Sequence, residues 1–171
     1  MEIEKISGLP AHPLFVHMPV VLIPLAGVIA IVFAVKPKWL DRFGWGLVAL
    51  SGVGMIGGIL AASSGEGLEE MMRANGEQIS SSLNEHAELG ETARSVSILF
   101  FMVVLAIVVI RYLVKKGFAQ TNSLGRIAAS KAGAIVMAVV LAISAVGATA
   151  TVIAAGHDGA KQVWHEEFAE D

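Results

Sequence analysis

Five histidines and no cysteine set the chemistry open to this 171-residue chain. Without cysteine there are no disulfides, no thiolate metal sites, no iron-sulfur cluster ligated by the chain and no C-x-x-C-H attachment of a c-type haem. Any metal must be held by nitrogen or oxygen, and imidazole is the usual neutral nitrogen ligand for haem iron, copper or zinc. His12 and His17 stand at the start of the apolar run "HPLFVHMPVVLIPLAG", His86 lies in "NEHAELG", His157 in "AAGHDGA" and His165 in the acidic tail "WHEEFAED". His12 and His17 are five residues apart, about 140° around an ideal helix, so they serve different partners unless the backbone is irregular. Pro13 suits a first helical turn and puts His12 at or near the N-cap. Pro19 and Pro24 each remove an intrahelical bond and can bend the helix.

The acids near these histidines read in two ways. Glu66, Glu85, Glu88 and Asp158 could orient ligand imidazoles, as carboxylates do for metal-bound histidine, or they form a solvated acidic surface. No Ser-His-Asp arrangement, glycine-rich phosphate loop, H-E-x-x-H or nucleic-acid-binding basic patch is present.

The elements that position the histidines follow from composition. Apolar residues make up 55 % of the chain and charged residues 16 %, with a mean hydropathy of +0.70. The apolar residues gather into four runs, approximately 14–35, 43–62, 95–114 and 132–155, each near the roughly 20 residues that cross about 30 Å of hydrocarbon. "ILFFMVVLAIVVI" at 98–110 has no polar face, so it meets lipid or is wholly buried. The first run lacks a basic leader and a clear cleavage site, and reads as a retained span. The expected fold is all-α: a single integral domain built as a four-transmembrane-helix bundle.

Orientation follows from lysine and arginine. Lys36, Lys38 and Arg42 lie between spans one and two, and Arg111, Lys115, Lys116, Arg126 and Lys131 between spans three and four. Residues 63–94 instead carry seven glutamates against Arg73 and Arg94. The basic loops are thus expected in the cytoplasm, with both termini and the long second loop outside an inner membrane. In that loop "GEGLEEMMRANGE" reads as a short extra helix closed by Asn75 and Gly76. Ser82 with Glu85 matches a capping box and starts helix three near Leu83, leaving His86 about 15 Å above the apolar run. Gly54 with Gly58, and Ala134, Ala138 and Ala142, offer close helix packing, dimerisation, or room for a flat ligand.

In this order "LPAHPLFVHMPVVL", "SSGEGL", "NEHAELG" and "AAGHDGA" resemble the bacterial integral membrane family catalogued as domain of unknown function 2231, over nearly the whole chain. The resemblance implies four spans and places His12, Pro13, His17, Pro19, Gly65, Glu66, His86, Gly90, Gly156, His157 and Gly159 on the family's motif positions. Ala160 stands where a second glycine is often found. The family supplies an architecture and a histidine pattern, and no reaction.

The first functional expectation is a b-type haem protein that transfers electrons near the outer face. His17 and His86 form the first axial pair, with His157 next, His12 for a second site or a propionate contact, and Arg94 to neutralise a propionate. The second is a nonhaem copper or zinc site held by His12, His17, His86 and His157. The third is an accessory subunit of a respiratory or oxidoreductase complex. Lipid, a redox partner protein or a second copy are the expected partners; nucleic acid is not, and no enzymatic reaction is assigned.

Overall fold

The computed structural model describes residues 5–6, 9–10, 12–117 and 122–168, with side chains from 12 to 117 and from 122 to 162. Two-residue strands β1 (Lys5–Ile6) and β2 (Leu9–Pro10) pair antiparallel, Lys5 opposite Pro10 and Ile6 opposite Leu9. Helices follow as α1 (His12–Val35), α2 (Pro37–Ala74), α3 (Ser81–Lys115), α4 (Ser123–Ala129) and α5 (Lys131–Phe168). Four of them are long and apolar enough to cross a membrane.

These four form a square. α1 packs on α2 and α5, and α3 packs on α2 and α5, so α1 and α3 face each other across the diagonal. The inward face repeats at steps of seven residues, near two helical turns: Pro19, Ala26 and Phe33 on α1, Leu40, Leu47, Gly54 and Ala61 on α2, Ala93, Phe100 and Ile107 on α3, Ala145 and Val152 on α5. Val21, Val28, Leu99 and Ile143 are more than half exposed on the outside, where a lipid-facing surface requires them.

Where α1 meets α2, side-chain volume is the limiting quantity. A Cβ on Gly54 would stand 2.8 Å from Ile23, and one on Gly57 2.7 Å from Met18. Gly58 meets only Pro19, at 3.9 Å, so the close contact runs through Gly54 and Gly57 and not the Gly54–Gly58 pair read from the sequence. The buried small residues continue through Ala61 to Ser64, steps of three and four that stay on one helix face.

The helices outlast their apolar runs. At 1.5 Å per residue the 38 residues of α2 extend about 57 Å, against about 30 Å of hydrocarbon. The segment expected as a separate outer helix is therefore helical, but as an unbroken continuation of α2. No proline interrupts residues 62–74, and glycine at 65 and 67 costs only about 1 kcal/mol each in a helix. α2 closes at Asn75, with Gly76 at φ +80°, as its sequence indicates. The cap of α3 is Ser80, whose side chain accepts from Leu83 N at 3.1 Å. Ser82 lies inside the helix, which starts two residues earlier than expected, because Ser80 has the extended backbone that an N-cap needs. The short extra helix found outside the bundle is α4, at the opposite, basic end.

Candidate functional site

At the acidic end the square brings two imidazoles together. His12, on the seven-residue ladder of α1, and His86, on that of α3, lie with ring centroids 6.2 Å apart and planes at 88°. They come from diagonally opposed helices, so their rings meet across the bundle axis.

Each ring is fixed through the same nitrogen. His12 Nδ1 donates to the Ala61 carbonyl at 2.8 Å, and Ser64 Oγ lies 3.4 Å away. A carbonyl can only accept, so Nδ1 carries the proton and Nε2 presents a lone pair. Ser64 Oγ also donates to Ala61 O at 2.9 Å, anchoring the same acceptor. His86 Nδ1 donates to Asp158 Oδ2 at 3.2 Å, and Gln162 Nε2 donates to that oxygen at 3.1 Å and to Ser82 O at 3.0 Å. His86 Nε2 is left as the acceptor. A backbone carbonyl or carboxylate on one ring nitrogen, with the other free, is the arrangement that orients metal-ligating histidine.

Glycines make room for both rings. A Cβ on Gly65 would stand 3.2 Å from His12 Nδ1, and one on Gly159 only 2.8 Å from His86 Cε1. Gly90, another motif position, has open space around it.

The remaining residues singled out in the sequence lie elsewhere. His17 is exposed and donates from Nδ1 to Pro13 O at 2.6 Å, within its own helix. The pair that the bundle assembles is thus His12 with His86, where His17 with His86 was the first expectation. His157 is exposed, one residue before Asp158 and about 100° around the helix. The four-histidine cluster does not form: among the described residues no group of three or more His, Asp or Glu side chains could hold a metal ion. His165 lies outside the described side chains. Arg94 donates to Glu66 Oε1 at 2.9 Å and to Glu91 Oε1 at 3.1 Å, so Glu66 serves Arg94 and not a histidine. Glu85 and Glu88 are exposed. Of the four acids considered as partners of the histidines, Asp158 is the one hydrogen-bonded to a ring.

Ala61, Ser64 and Gln162 complete the site and were not singled out for it, whereas Gly159 stands on one of the motif positions. The signal that separates His12 and His86 from His17 is the ladder itself: 19, 26 and 33 on α1 and 93, 100 and 107 on α3 are buried in step with them, whereas seven-residue steps from His17 lead to half-buried Pro24 and exposed Ile31. No curated protein and no solved structure matches the chain. The family described as a predicted membrane protein, domain of unknown function 2231, matches residues 8–170, and the chain belongs to it.

Proposed function

We propose that the protein is a membrane-embedded b-type haem protein whose haem would be held by Nε2 of His12 and Nε2 of His86, and that it transfers electrons at the outer face of the cytoplasmic membrane. The observation that carries this reading is the spacing of two rings that each have Nδ1 committed. A metal–nitrogen bond of about 2.0 Å puts a ligated ring centroid about 3.2 Å from the metal. Twice that distance is about 6.4 Å, and the observed 6.2 Å leaves both rings within reach of one metal. Imidazole is one of the ligands that haem iron takes from its protein.

The chain's own residues do the rest. Ala61 O and Asp158 set the tautomers and hold the ring planes perpendicular. The apolar helices below exclude water, which tunes a redox centre. Haem, when bound, supplies a one-electron couple. The charge asymmetry of the two ends supports placing this one outside.

A single copper(II) or zinc ion between the same nitrogens is the competing reading, favoured by how closely Gly65 and Gly159 hold the rings. The visible spectrum of the detergent-purified protein decides between them. A Soret band with sharp reduced α and β bands, lost in H12A and H86A and kept in H17A and H157A, is expected. A colourless protein with one copper or zinc per chain by elemental analysis overturns the haem reading in favour of the ion.

A further inference from the structure

The opposite end of the bundle holds a cavity of about 260 Å³ between α1, α2 and α5, with Phe33, Ala134, Met137 and Ala138 among its apolar walls and Arg111 and Lys131 among its polar lining. Exposed Val35 and Ile135 also line it, so it opens on the outside of the bundle. That volume falls below the roughly 300–1,000 Å³ of a site that encloses a whole small molecule. It suits one apolar chain entering from the side.

Depth is fixed by the aromatic residues at this end. Lys36 Nζ lies 4.6 Å from the Trp39 ring, Lys116 Nζ 5.7 Å from Tyr112, and Tyr112 stacks edge-on against Trp45. Such cation-bearing aromatics mark the headgroup level of a bilayer. Arg111, the neighbour of Tyr112, is at that level.

Arg111 is held for a second partner. Its Nε and Nη2 donate to Asp41 Oδ1 and Oδ2 at 2.6 and 2.8 Å, which fixes the guanidinium plane. The guanidinium has five N–H donors, so Nη1 and the second proton of Nη2 remain beyond this fork. Lys131, exposed at the first residue of α5, adds a full positive charge beside the cavity. Because Asp41 offsets Arg111, Lys131 carries the net attraction for an anion.

We propose that this cavity binds one anionic phospholipid from the leaflet at the basic end, an acyl chain against Ala134 and Ala138 and the phosphate between Arg111 and Lys131. Charge complementarity selects the anionic headgroup, since basic pockets between transmembrane helices bind such lipids. The apolar walls select a lipid over free phosphate.

The test uses the full chain in nanodiscs of phosphatidylcholine with a minor fraction of phosphatidylglycerol, read by native mass spectrometry of the ejected protein. One phosphatidylglycerol is expected to stay bound in preference to phosphatidylcholine. K131E, which reverses a charge worth about fivefold at an anionic surface, lowers that preference about 25-fold, and A138F, which fills the cavity, removes it. Both variants keep the wild-type melting temperature in pure phosphatidylcholine. Equal retention of the two lipids, or a preference unchanged in K131E, overturns the proposal, and so does displacement of the lipid by millimolar inorganic phosphate.

Discussion

Asp158 Oδ2 accepts from His86 Nδ1 at 3.2 Å, joining α3 to α5 across 72 residues, and Gln162 donates to the same oxygen from one turn further on. The carboxylate fixes which nitrogen of His86 is free. D158A is expected to weaken binding of the metal group by about 10–100-fold, the usual cost of losing the partner that orients a ligand histidine. Q162A, which leaves the His86–Asp158 contact in place, is expected to have a smaller effect. Titration of the apoprotein with haem, followed by absorbance, measures both.

A methyl group at 159 meets the His86 ring at 2.8 Å. G159A is expected to displace that ring and to cost about 1–3 kcal/mol of stability, as overpacking does. G90A, in open space on α3, is expected to gain about 1 kcal/mol from helix propensity. Thermal melts in one detergent compare the two glycines, and equal shifts of the same sign would count against a special role for Gly159.

At the basic end Arg111 and Asp41 form a two-bond ion pair between α3 and α2, each side chain about one-fifth exposed. A double-mutant cycle with D41N, R111Q and their combination is expected to give a coupling of about 1–3 kcal/mol, above the value for an exposed pair. Stability of the detergent-solubilised protein reads it, and on the proposed function the haem spectrum is expected to stay unchanged, because the pair lies at the other end of the bundle.

S80A removes the side-chain acceptor of Leu83 N and is expected to cost about 1 kcal/mol. S82A, inside the first turn, is expected to be near neutral. Hydrogen exchange of the first turn of α3 distinguishes them.

The four spans were legible because a bilayer imposes one length and one polarity on every crossing helix. The ends were less so. Ser80 and Ser82 offer the same hydroxyl, and the backbone angle that separates them belongs to the folded turn. Span two was expected to end near residue 62, with a separate helix in "GEGLEEMMRANGE", while the backbone carries one helix through "SSGEGL" to Ala74. The five-residue spacing showed that His12 and His17 would part company. Which of them turns inward depends on the rotation of α1, and that is fixed by Gly54 and Gly57 accepting Met18 and Ile23. Buried residues repeating at seven-residue steps carry that information, and a histidine in step with them is an inward one.

Four rods joined only along the sides of a square can shear into a rhombus without breaking any side. A strut across a diagonal removes that freedom. At the acidic end, the opposed imidazoles of His12 and His86 are where such a strut would sit, so a metal bound there would stiffen the whole frame. At the basic end Asp41 and Arg111 tie one side of the square, and the cavity opens beside them.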